Sequence, residues 1–123
     1  MLINRNVRLS LFSGLNFTGR RIIFRRGGVA VRDLRAFRFD NVLSSFRLQN
    51  VVNPSEVTLI LFSLRNFRGD FRVFRGSQNI ANLRNFNNRT SSFILVGRVL
   101  TNAQINAIRN TGNPPQDILE ITQ

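Results

Sequence analysis

Two six-residue stretches carry the oxygen chemistry of this chain, Asp40-Asn41-Val42-Leu43-Ser44-Ser45 and Asn87-Asn88-Arg89-Thr90-Ser91-Ser92. Each sets two amide or carboxylate side chains, a two-residue spacer and two hydroxyls ahead of a short apolar segment. Such a loop can curl so that side-chain and carbonyl oxygens converge on a hard cation such as calcium. An isolated Asp-Asn or Asn-Asn pair is ordinarily a turn former, but here the whole pattern recurs with both hydroxyls kept. The charge predicts weak binding, because Asp40 is the one carboxylate in the two loops and Arg89 sits inside the second.

Little else in the chain offers chemistry. His, Cys, Tyr and Trp are absent and Met occurs once, so the usual general bases, nucleophiles and transition-metal ligands are missing. That composition argues against an enzyme. Disulfides and thiol chemistry are excluded as well, although the lack of cysteine says little about compartment.

The formal net charge of +12 comes from 18 basic residues, every one an arginine. Arg stacks and binds bidentately, so the choice favours ordered contacts over loose solvation. Arg20-Arg21, Arg25-Arg26, Arg32, Arg35 and Arg38 crowd the first half, and a basic surface interleaved with aromatics binds nucleic acid through its phosphates. The simpler explanation is that arginines fill the solvent face of alternating strands, and no recognised nucleic-acid motif is present. The expectation is non-specific polyanion binding that weakens steeply with salt.

The elements that must position the two loops form a duplication. Val7-Arg8-Leu9-Ser10-Leu11-Phe12-Ser13 lies over Val57-Thr58-Leu59-Ile60-Leu61-Phe62-Ser63, and Asn16-Phe17-Thr18-Gly19 over Asn66-Phe67-Arg68-Gly69. The offset shortens between Gly27 and Phe39, after which Phe39 matches Phe86 and Ser44-Ser45-Phe46 matches Ser91-Ser92-Phe93. A duplicated unit of this size buries its apolar face against its twin. Val7, Leu9 and Leu11 alternate with Arg8, Ser10 and Phe12, the period of a half-buried strand. A second strand is expected over about Arg20–Arg25, with Phe12-xxxx-Phe17-x-Gly19 as a folded hairpin in which Gly19 supplies a backbone conformation unsuited to a side chain. Gly27-Gly28 ends that strand, Asp33–Phe39 reads as an irregular or short strand segment, and Phe46 with Leu48 marks a closing strand. Pro54 interrupts the linker Gln49–Glu56. The plan then repeats through Val57, Leu59 and Leu61, the Phe62/Phe67/Gly69 hairpin, Phe71–Phe74, and Phe93 with Leu95. Short strands with Gly and Asn turns predict an all-β sandwich of antiparallel sheets.

The tail departs from the repeat. Thr101 is a candidate cap for a helix to about Thr111, ended by Gly112 and barred from continuing by Pro114-Pro115, with Ile118-Leu119-Glu120-Ile121 as a brief apolar segment beyond. The domain is therefore expected over residues 1–99, in units of 5–50 and 55–98, with 100–123 as an extension. The N-terminus has no apolar run of signal-peptide length and no segment reaches membrane-span length. A soluble protein, cytoplasmic or spore-associated and away from membranes, is expected.

Over residues 5–98 the paired motifs resemble the βγ-crystallins, whose Greek-key unit has a (Tyr/Phe)xxxx(Phe/Tyr)xGly hairpin and a late Ser. Phe12, Phe17, Gly19 and Ser45 match in one unit; Phe62, Phe67, Gly69 and Ser92 match in the other. Both loops also match the calcium motif (Asn/Asp)(Asn/Asp)xx(Ser/Thr)Ser of microbial and some animal members. The resemblance implies two Greek keys in a two-sheet wedge, each sheet borrowing a strand from the other unit. It implies that Ser45 and Ser92 are structural, their hydroxyls bonding the hairpins. It further implies one calcium site from Asp40, Asn41 and Ser44 and another from Asn87, Asn88 and Ser91, with the carbonyls of Val42 and Arg89 as backbone ligands. Each site would be completed by the hairpin of the opposite unit. Which of the leading Asn/Asp residues touches the ion is open at this stage.

The function expected first is a non-enzymatic, weakly calcium-binding structural protein of βγ-crystallin type, self-associating and suited to a microbial spore or stress coat. A chain without Cys, Trp, Tyr or His offers few oxidisable side chains to such service. The alternative is an arginine-rich module for nucleic acid or another polyanion, and an inhibitor or toxin domain comes third. One difference between the units bears on association: Ser10 becomes Ile60 and Arg47 becomes Ile94, both opposite the inward rows. Ile60 and Ile94 are expected side by side on the outside of the second sheet, covered by Ile105, Ile108, Leu119 and Ile121 of the tail. A neighbouring copy is favoured as the source of that cover, because a segment set off by Gly112 and Pro114-Pro115 can reach outward.

Overall fold

The computed structural model describes residues 6–25, 28–115 and 118–121; Arg26 and Gly27 of the sequence reading lie outside them. Strands β1 (Val7–Gly14), β2 (Thr18–Phe24), β3 (Val29–Val31) and β4 (Ser45–Asn50) come from the first unit. Strands β5 (Thr58–Leu64), β6 (Arg68–Arg75), β7 (Gln78–Ile80) and β8 (Ser92–Val96) come from the second. Helix α1 (Asn102–Thr111) and strand β9 (Leu119–Ile121) form the tail. One sheet runs β2-β1-β4-β7 and the other β6-β5-β8-β3-β9. Each sheet thus takes a strand from the other unit, as the Greek-key expectation required.

Alternation builds the sandwich. Val7, Leu9 and Leu11 of β1, Phe46 and Leu48 of β4, Leu59 and Leu61 of β5, and Phe93 and Leu95 of β8 point into one core between the sheets. Phe46 meets Phe74 across it at 4.8 Å between ring centroids, and Phe24 meets Phe93 at 5.2 Å. Both pairs are edge-on, the favoured aromatic geometry.

The hairpins fold as their spacing predicts. Asn16 and Phe17 take φ of 56° and 61°, Asn66 and Phe67 take 61° each, and Gly19 and Gly69 take 82° and 83°. A Cβ on Gly19 would lie 2.4 Å from Ser13 Oγ, and one on Gly69 2.4 Å from Ser63 Oγ. Close approach and left-handed backbone together require glycine at both.

Between Asp33 and Phe39 the structure differs from the irregular or strand-like segment expected. Leu34–Phe37 is a 3-10 turn, because the Asp33 carboxylate accepts from Arg35 N at 3.0 Å and caps it. Hydrogen bonding by the Arg35 guanidinium (2.7–3.1 Å) holds the Asp33 carboxyl below the usual carboxylate range. A lowered folded pKa means that Asp33 stabilises the fold at neutral pH and loses that contribution as pH falls through the folded value. The melting-temperature deficit of Asp33→Asn is therefore expected to be largest near neutrality and to narrow below about pH 4. A pH-independent deficit would show that the ion pair contributes nothing.

On the second sheet the tail closes an outer face. Thr101 and Gln104 form a reciprocal capping box, and Gly112 at φ 71° ends α1 with its N–H on Ile108 O at 2.7 Å. Ile60 pairs with Ile94 across β5 and β8, both fully buried beneath Leu100, Ile105 and Ile108. The cover expected from a neighbouring copy comes from Ile105 and Ile108 of the same chain, so this face as folded offers no bare apolar surface, whereas Leu119 is exposed and Ile121 packs on the core between the sheets. Thr58 Oγ1 donates to Arg98 O (2.9 Å) and accepts from Leu100 N (3.1 Å). The Arg75 guanidinium donates to Leu100 O (3.0 Å) and Asn102 Oδ1 (2.8 Å). Beyond the prolines, β9 adds to the sheet edge in parallel with β3, and Glu120 pairs with Arg32. Among the described residues no helix is long and apolar enough to cross a membrane.

Candidate metal centre

The two oxygen-bearing loops lie against each other and are tied by backbone. Asn41 N donates to Thr90 O and Asn88 N to Leu43 O, each at 2.9 Å. Asn41 and Asn88 adopt the left-handed conformation, at φ 58° and 60°, which Asn tolerates better than most residues. The result crosses the units: Ser91 Oγ lies 3.1 Å from Asn41 Oδ1, and Ser44 Oγ lies 3.1 Å from Asn88 Oδ1.

This crossing corrects the grouping read from sequence, which joined Asn41 to Ser44 and Asn88 to Ser91 within their own loops. The loop-to-loop backbone bonds turn each Asn toward the opposite hydroxyl. Of each leading pair it is the second residue that faces a serine. Asp40 and Asn87, the first residues, each hold a buried Oδ1 with no hydrogen-bond partner among the described residues.

Around Ser44 the oxygens are crowded. Its hydroxyl lies 3.1 Å from Ser13 O and 3.4 Å from Val42 O as well as 3.1 Å from Asn88 Oδ1. One proton cannot bond all three well, and converging neutral oxygens are a ligand type that a hard cation takes. Val42 contributes its carbonyl to this crowd. Ser13 was not anticipated; it belongs to the hairpin of the same unit rather than the opposite one, and a carbonyl carries no side-chain signal. The Ser91 cluster is thinner, its hydroxyl bonding only Asn41 among the described residues. Arg89 turns its guanidinium to Asp70 at 2.6 Å, where a carboxylate offsets its charge. Among the described residues no three of His, Cys, Asp or Glu gather in a metal-binding group, so a cation held here would be held mainly by neutral oxygens, a set suited to calcium and ill suited to transition metals.

The neighbouring serines do different work. Ser45 Oγ accepts from Phe17 N (3.0 Å) and donates to Gly14 O (2.7 Å). Ser92 Oγ accepts from Phe67 N (3.1 Å) and donates to Leu64 O (2.6 Å). Both pin the folded hairpins, the structural role that the resemblance implied.

Two greek keys, exchanged strands, pinned aromatic hairpins and paired Asn/Ser loops are the features of a βγ-crystallin domain, and solved structures agree. The chain is similar to a structure bearing on the evolution of the eye lens βγ-crystallin domain fold, at 26% identity and a TM-score of 0.62, covering 75% of this chain and 87% of that one. It is similar to the N-terminal domain of Protein S, at 25% identity and 0.58, covering 75% and 99%. It is also similar to a βγ-crystallin from Ciona intestinalis, at 19% identity and 0.56, covering 70% and 95%. No protein-family model matches the chain, and no curated protein matches it. The chain has the βγ-crystallin domain fold, and the tail of α1 and β9 is built onto it.

Proposed function

We propose that this chain is a non-enzymatic structural protein that binds calcium weakly at two composite sites, one around Ser44, Asn88, Val42 O and Ser13 O and one around Ser91 and Asn41. The observation that carries this reading is the crowd of oxygens at Ser44 Oγ, where three acceptors compete for one proton. The buried, unpartnered oxygens of Asp40 and Asn87 beside the same loops support it. Microbial spore or stress-coat service fits a chain without Cys, His, Trp or Tyr.

Affinities on the order of 0.1–1 mM are expected, since carboxylates are few and the net field is positive. At ten times the dissociation constant the stabilisation is about 1.4 kcal/mol per site. Titration calorimetry with a parallel melting series in calcium measures both. Asn88→Ala should remove the Ser44 site and leave the Ser91 site, and Asn41→Ala should do the reverse. No heat and no melting shift at millimolar calcium would leave the loops as structural turns only.

A further inference from the structure

The outer face of the second sheet is apolar and covered, whereas its twin on the first sheet is cationic and open. Where β5 and β8 place Ile60 and Ile94 beneath the tail, β1 and β4 place Ser10 opposite Arg47. The difference extends to the residues that grip the cover. Thr58 and Arg75, which bond the backbone of the tail, have as their repeat counterparts Arg8 and Arg25. One step past the paired residues Leu9 and Phe24, Arg25 falls opposite Arg8. Like charges directly opposite each other destabilise a sheet, so the arrangement calls for an anion.

Arg8, Arg25 and Arg47 line one groove of about 400 Å³, with Ser10, Gln49 and Asn79 between them. Among the described residues no carboxylate lines it, and none of these three arginines enters any of the ion pairs formed there. Arg47 is held in place, its guanidinium 4.0 Å from the centre of the Phe17 ring.

We propose that this groove binds the phosphodiester backbone of a nucleic acid, seated on the first sheet where α1 sits on the second. Guanidinium forks match phosphate oxygens bidentately, and hydroxyl and amide side chains supply the accompanying phosphate and sugar contacts. An acidic peptide would use the arginines but has no sugar hydroxyls for Gln49 and Asn79. Phe17 is already stacked beneath Arg47 and is not free to stack on a base, so binding is without sequence preference.

Fluorescence anisotropy with labelled oligouridylate, whose ribose carries the 2′-hydroxyl, across a salt series tests this. The groove variant Arg8→Ser/Arg25→Ser/Arg47→Ser is compared with Arg65→Ser/Arg68→Ser/Arg84→Ser, which removes the same charge from exposed positions elsewhere. All three groove arginines are exposed, so the variant should fold, relief of the Arg8–Arg25 repulsion offsetting loss of the Arg47–Phe17 contact; Arg25→Glu alone serves as a second, smaller perturbation. The wild type should bind at low salt, and the groove variant should lose at least about tenfold in affinity and about 2 units of log–log salt slope. The control variant should lose clearly less, and Arg25→Glu should weaken binding. Equal losses in the two triple variants would reduce the effect to net charge and overturn the groove. So would the absence of wild-type binding, or polyglutamate binding as tightly as the oligonucleotide at equal salt.

Discussion

Removing residues 100–123 is expected to cost this fold most of its stability and to send the truncated chain into aggregates. Leu100, Ile105 and Ile108 are 1%, 3% and 4% exposed against a face in which Ile60, Phe62, Phe67 and Ile94 are fully buried. Each such side chain contributes about 1.5–3 kcal/mol when fully buried, and a small domain has only about 5–15 kcal/mol in all. The loss is therefore comparable with the whole, and the uncovered face is a contiguous apolar patch of the kind that drives association. Ile60→Arg and Ile94→Arg should act in the same direction, because each forces a charge without a partner into a closed apolar cluster. Denaturant unfolding and sedimentation velocity read both effects. With the cover in cis, truncation enlarges the particle, whereas an assembly held by a neighbour's tail would shrink to monomers. A truncated chain that stays monomeric with an unchanged midpoint would show that the tail is an ornament on the domain.

That prediction rests on a contact half legible in the sequence. The repeat placed Ile60 beside Ile94, and Thr101 and Gly112 marked the helix that covers them. The origin of the cover was not legible, since Gly112 and Pro114-Pro115 let the chain beyond α1 turn back or reach out. The deciding contacts lie before the helix: Thr58 and Arg75 bond the backbone of Arg98 and Leu100 as the chain leaves β8, setting α1 down on its own sheet. Strands β3 and β7 were missed for a different reason. Three residues cannot display a period of two, and Val29, Ala30 and Val31 are buried on both faces, so no alternation exists to find. In the loops the residue types were legible and their pairing was not. Asn41 meets Ser91 because Asn41 N bonds Thr90 O, and Asn88 meets Ser44 because Asn88 N bonds Leu43 O. Those are main-chain groups, which every residue carries.

The adjacent serines of each loop should separate cleanly by experiment. Ser92 is fully buried, and Ser92→Ala strips Phe67 N and Leu64 O of their shared partner. Leaving a buried donor or acceptor unpaired costs about 1–3 kcal/mol for each group, so loss of this single oxygen is expected to lower stability by at least that amount at Phe67 N. Ser45→Ala makes the same deletion in the first unit, but Phe17 is only half-buried where Phe67 is fully buried. Water can reach the first hairpin, and the cost there should be smaller. Denaturant midpoints give the two losses, and amide exchange at Phe67 and Phe17 locates them. Ser91→Ala should do the opposite of its neighbour, changing calcium-free stability little and removing the calcium-dependent rise from its site. If Ser91→Ala and Ser92→Ala instead lower calcium-free stability alike and both retain the full response to calcium, the division of labour between the two hydroxyls is wrong. If Ser92→Ala costs less than Ser45→Ala, burial is not what sets the strength of the pin.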